Sequence, residues 1–101
     1  MKAERKERFQ AGRVVVTVGA LAVTTAEQRD TYLSAHLRGD WGAVDAEQRE
    51  LNEDSLKHGQ SVLSAYPINP AKPCEGFGDN TLWIKTHGTR SVTTIMLPDE
   101  H

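Results

Sequence analysis

A single cysteine, Cys74, stands among 101 residues. One thiol excludes an internal disulfide, argues against zinc held by thiolates, and fits a reducing compartment. Long apolar runs are missing too. The stretches "RVVVTVGALAV" and "TTIMLP" fall far short of the roughly 20 residues that cross a bilayer. The opening "MKAERKERFQAG" has positive charge but no apolar segment, so no secretory signal is expected. Aromatics make up only 6% of the chain, and no phosphate-cradling glycine loop is present. The glycines of "GFGDN" neither follow a clear strand nor open a helix. These absences point to a cytoplasmic protein without membrane contact, cofactor or metal.

What remains is the composition of a small globule, 38% apolar and 26% charged. Its net charge of −2 hides an asymmetry. Lys2, Arg5, Lys6, Arg8 and Arg13 outnumber Glu4 and Glu7 at the start, so residues 1–12 read as a flexible basic arm before one domain at 13–98. Acid gathers further on, where Asp40, Asp45, Glu47, Glu50, Glu53 and Asp54 face Arg49 alone. An acidic face of that kind suits a partner with a basic surface. The basic arm, with Trp83 and Lys85, gives weaker grounds for contact with nucleic acid.

Periodicity divides the domain. The β-branched "RVVVTV" (13–18) predicts a fairly buried strand, broken by Gly19 and the small residues after it. "TTAEQRDTYLSAHLRG" predicts a helix capped by Thr25 with Gln28, or by Thr24 with Glu27. Its apolar stripe is Tyr32, Leu33, His36 and Leu37, and Gly39 sits where a left-handed terminator is wanted. A second helix starts at Asp45 with Gln48 completing the capping box. It has a narrow apolar face of Val44, Leu51, Ser55 and Leu56, and it stops at Gly59. From there alternation takes over, and 61–68, 81–87 and 90–97 predict three strands. "HGTR" makes the last hairpin, with Gly88 expected to take the unusual backbone angle. Leu82 and Ile84 are expected in the core, with Trp83, Lys85 and His87 on the opposite surface. A Pro- and Gly-rich loop at 67–80 joins the first two strands of the meander. The order is strand, two consecutive helices and a three-stranded antiparallel meander. The expected class is therefore α+β, with the helices on one face of the sheet.

Three constellations carry chemical interest. Arg38-Gly39-Asp40 matches an adhesion tripeptide, but a helix stop at Gly39 with Trp41 folded back explains the same letters. The 4 histidines include no pair at i, i+4 and no placed carboxylate partner, so no metal site is expected. His36, His87, Arg90 and Thr93 are the residue types a small metal-independent ribonuclease uses: a base or acid, and a cation to hold phosphate. No spacing among them is diagnostic. A binding surface would draw on Asp40, Trp41, Glu47, Glu50, Asp54, Trp83, Lys85 and Arg90.

The blocks "HLRGDWGAVDAEQRELNEDSL", "LSAY" and "LWIKTHGTRSVTTIMLP" carry a resemblance. Over about residues 33–98 the chain resembles a family of short proteins encoded on bacterial plasmids, phages and integrated elements. Members are variously labelled plasmid-related protein or type I restriction endonuclease subunit M. The matching positions are His36, Gly39, Asp40, Trp41, Gly42, Asn52, Ser64, Tyr66, Trp83, Arg90, Ser91 and Thr94. The 67–80 loop is longer than the family's tight hairpin, and "HGTRS" lacks the acidic residue that often precedes the arginine. Small size, the lack of a catalytic constellation, the acidic helix and this resemblance together point to a non-enzymatic accessory protein of a mobile element. Such a protein would bind a host protein or complex, with interference in CRISPR or restriction defence as one form of that role. The alternative is the small ribonuclease or toxin-like enzyme above.

Overall fold

The structure, a computed structural model, describes residues 7–101. Alternation after Gly59 gives β2 (Val62–Pro67), β3 (Thr81–Thr86) and β4 (Val92–Met96), a continuous antiparallel meander. The first strand, β1 (Arg13–Val16), joins it parallel to β4, with Arg13 beside Val92 and Val16 beside Ile95. The result is a four-stranded mixed sheet in the order β1-β4-β3-β2, and the class is α+β.

Register sorts the side chains onto two faces. Val62, Ser64, Tyr66, Leu82, Ile84, Thr86, Thr93 and Ile95 share one face, since paired residues on neighbouring strands point the same way. That face carries the core of Tyr66, Leu82, Ile84 and Ile95, closed by Ala35 of α2 (Ala26–Leu37) and Ala20 of α1 (Val18–Val23). Leu82 and Ile84 are inside as expected.

The helix α1 replaces the expected break after β1. Its six residues are too few to show a helical period. The Thr17 side chain accepts from the Ala20 N–H, and the Glu100 carboxylate accepts from the Gly19 N–H. The expected burial of β1 is also overturned, because Val14 and Val15 are 42% and 39% exposed at the edge of the sheet.

Caps fall where the sequence places them. The Thr25 side chain accepts from the Gln28 N–H to open α2, and the Asp45 carboxylate accepts from the Gln48 N–H to open α3 (Ala46–His58). Gly39, at φ +83°, follows the last turn of α2 in the left-handed region that only glycine enters without strain. The face of α3 is only partly the expected one, with Ser55 inward as expected but Asn52 in place of Leu51. It buries Asn52 and Ser55 and leaves Leu51 52% exposed. In the last turn Arg90, not Gly88, is left-handed, at φ 61°. Its guanidinium compensates by donating to the carbonyls of Gln60, His87 and Ser55.

The two edges of the sheet differ. Along β2, backbone groups that find no strand partner are covered. The Ala65 N–H donates to Trp41 O and the Ala65 carbonyl accepts from the Ala43 N–H. The Asn52 carboxamide bonds both the N–H and the C=O of Leu63, at 3.0 and 2.8 Å, standing in for a neighbouring strand. Gly42 is held against this edge, where a β-carbon would overlap the Ala65 carbonyl oxygen and the Tyr66 ring. The β1 edge has no such cover among the described residues.

Candidate functional site

The stripe of α2 turns His36 inward, where it is fully buried between β2 and β3. Its Nδ1 meets the Ser64 hydroxyl and its Nε2 meets the Thr86 hydroxyl at 2.8 Å. Thr86 meets Thr93 at 2.7 Å, and the Thr93 hydroxyl donates to the Ala11 carbonyl at 2.7 Å. That last bond fixes the direction of every proton in the row. Thr93 has given its hydrogen to Ala11, so it accepts from Thr86. Thr86 accepts in turn from the His36 Nε2–H, which leaves Nδ1 to accept from Ser64. Burial, aided by the nearby positive charge of Arg90, pushes the imidazole pKa down to about 3. His36 is therefore a neutral ring at physiological pH, with both nitrogens engaged.

Residues 8–12, part of the expected flexible arm, lie over this row. Phe9 meets His36 edge-on at 5.2 Å and stacks on Trp41 at 6.1 Å. The Arg90 guanidinium sits 5.3 Å from the centre of the same Phe9 ring. Arg8 forms a two-pronged bond to Glu53, at 2.9 and 2.7 Å, and its N–H donates to the Leu37 carbonyl. Lys2, Arg5 and Lys6 lie outside the described residues.

The ribonuclease set is thus only partly assembled. His36, Thr93 and Arg90 gather around Phe9, but in a packed interior rather than a cleft. His87 is exposed and meets Thr89 in the turn. Asp40 is exposed on the helix–helix corner, where its carbonyl accepts from the Tyr66 hydroxyl. General acid–base chemistry needs a titratable atom within reach of a substrate proton, and the enclosed His36 offers none. Among the described residues, no three of His, Cys, Asp and Glu gather closely enough to hold a metal ion. No described helix is long and apolar enough to cross a membrane.

The expected binding residues separate as well. Trp41 is buried, and its indole N–H donates to Glu53 at 3.0 Å. Bonding to Arg8 and to this indole holds the Glu53 carboxyl down to about 2. Trp41 is therefore a fastening of the fold rather than a contact residue, while the half-buried Arg90 spends its guanidinium on the carbonyls of Gln60, His87 and Ser55. Lys85 meets the His101 ring at 3.0 Å, and Trp83 lies edge-on to the same ring.

Trp83 sits under the 67–80 loop, donating its indole N–H to the Gly76 carbonyl. That loop is shaped by Asn80, whose carboxamide donates to the carbonyls of Asn69, Lys72 and Pro73. Between the loop and the start of α3 runs a groove of about 310 Å³, with Leu63, Phe77 and Trp83 along it and Asp45 and Glu75 at its rim. Compared with known protein families, curated proteins and solved structures, the chain matches none.

Beside the groove, α3 turns Glu47, Glu50 and Asp54 outward around Leu51. Together the four line a shallow depression of about 300 Å³. Leu51 lies outside its expected place because Asn52 takes the inward position beside Ser55, facing the β2 edge. An asparagine next to a leucine was the available signal, since a carboxamide can bond both the N–H and the C=O of a bare strand edge.

Proposed function

We propose that the chain is a non-enzymatic binding protein that presents the outer face of α3 to a partner protein with a basic surface. One observation carries this reading. Leu51 stands exposed among Glu47, Glu50 and Asp54, and the four line one shallow depression. Protein contacts are commonly built this way, with an apolar centre to exclude water and a charged rim to select and steer the partner. The role as an accessory factor of a mobile element, acting on a host protein or complex, is part of the same proposal. It rests on the resemblance of the "HLRGDWG", "SAY" and "LWIKTHGTRS" blocks. Interference with CRISPR or restriction is the form of that role in which such a surface would displace nucleic acid from a basic groove.

The test is capture from a bacterial lysate with the wild-type chain and with Glu47→Lys/Glu50→Lys. The expected result is a basic protein recovered by the wild type, released as salt rises, and lost with the double variant. Recovery unaffected by the charge reversal, or no protein above background, overturns the reading.

A further inference from the structure

We propose that the open edge of β1 pairs with the same edge of a second copy, joining two sheets into one of eight strands. The first support is the hydrogen-bond phase. Arg13 N–H donates to Ser91 O and Thr17 N–H donates to Ile95 O, so the odd-numbered residues of β1 face β4. A parallel ladder then leaves the N–H and C=O of Val14 and Val16 pointing outward. The β2 edge is closed by Asn52 and residues 41–43, whereas β1 carries no charged or proline guard along Val14–Val16 and exposes valine side chains.

The second support is that this edge complements itself. Antiparallel pairing through its outward groups sets Val14 against Val16 of the second copy and Val16 against Val14, with a two-fold axis at Val15. The same register sets Arg13 opposite Thr17 of the second copy, on the same face of the sheet. Thr17 is where Glu100 is docked, its carboxylate accepting from the Thr17 hydroxyl. Arg13 makes no ion pair among the described residues. In the pair it reaches the Glu100 carboxylate of the second copy, and symmetry repeats that ion pair at the other end. Val18, the first residue of α1, is 84% exposed just past the strand.

The strand is short, so the buried area falls below that of a standard stable interface. The dimer accordingly forms and dissociates with concentration. Sedimentation velocity over a dilution series tests it. The wild type is expected to move from monomer to dimer as concentration rises. Val14→Pro removes an outward N–H but spares every bond to β4, so it is expected to remain monomeric with unchanged far-UV circular dichroism. If Val14→Pro fails to fold, Val15→Lys decides, because it sets two like charges together on the two-fold axis at an exposed position. Raised salt is expected to weaken the wild-type dimer through the Arg13–Glu100 pairs. A wild type that stays monomeric at the highest concentration overturns the proposal. So does a dimer that survives both Val14→Pro and Val15→Lys.

Discussion

At the scale of single residues, His36 governs how the fold responds to acid. Its pKa is about 3 in the folded chain against 6.5 unperturbed, with burial as the main cause. Below pH 6.5 the unfolded chain binds a proton that the folded one refuses, so stability is fully present above that value and falls as pH drops toward 3. The slope approaches about 1.4 kcal/mol per pH unit. Urea midpoints measured from neutral pH down to about pH 5 check this, and His36→Gln should flatten the slope while lowering stability at neutral pH. Glu53 also weakens the fold in acid, beginning at the ordinary carboxylate value of 4.5 and continuing down to about 2. The two effects overlap below about pH 4.5, so only the range above it reports His36 alone. That His36 lies inside was half legible in its place on the apolar stripe. Its partners were not, because Ser64, Thr86 and Thr93 meet it only through the register of three strands.

Among the elements, those with local signals were legible and those defined by a distant neighbour were not. Thr25, Asp45 and Gly39 mark helix ends by side-chain and backbone chemistry within four residues, and the structure uses each of them. A β-branched run looks the same at a sheet centre as at its edge, so the sequence predicts a burial that β1 does not have. Only the partner strand, near the other end of the sequence, distinguishes them. The same limit hid Asn52, a polar residue in an acidic helix that proves to be the closure of the β2 edge. Replacing it by leucine strands the Leu63 N–H and C=O and should cost about 3 kcal/mol, read as a drop in the urea midpoint. Asn52→Asp keeps the acceptor but loses the donor, and should fall between the two. Hydrogen exchange should rank the strands by position. Ile84 in β3 is expected to be the slowest class and Val15 in β1 among the fastest, since an exposed edge strand opens without disturbing the core.

For the molecule as a whole, the segment read as a free arm belongs to the domain from Arg8 onward. Phe9 closes the interior over His36 and Trp41, and Ala11 accepts the last hydrogen bond of the buried row. Phe9→Ala should therefore destabilise the fold by about 2 kcal/mol, in the lower range for a partly buried phenylalanine. It should also shift Trp41 fluorescence to longer wavelength as water enters. Unchanged emission and an unchanged midpoint would show that the seal contributes nothing. The sequence concealed this because Phe9 is a lone aromatic among charges, with no periodic neighbour to mark it as inward.

The parallel pairing of β1 with β4 has a consequence for how the chain is made. The bond from Thr93 to Ala11 joins residues 82 positions apart, and β1 finds its ladder only on β4. A chain emerging from the ribosome therefore presents "RVVVTVGALAV" without a strand partner until β4 has been made. Domains that wait on such distant contacts fold slowly, and exposed β-branched segments aggregate while they wait. The segment that completes the sheet is thus made well before its partner strand, and in the cell it is the stretch most in need of a chaperone.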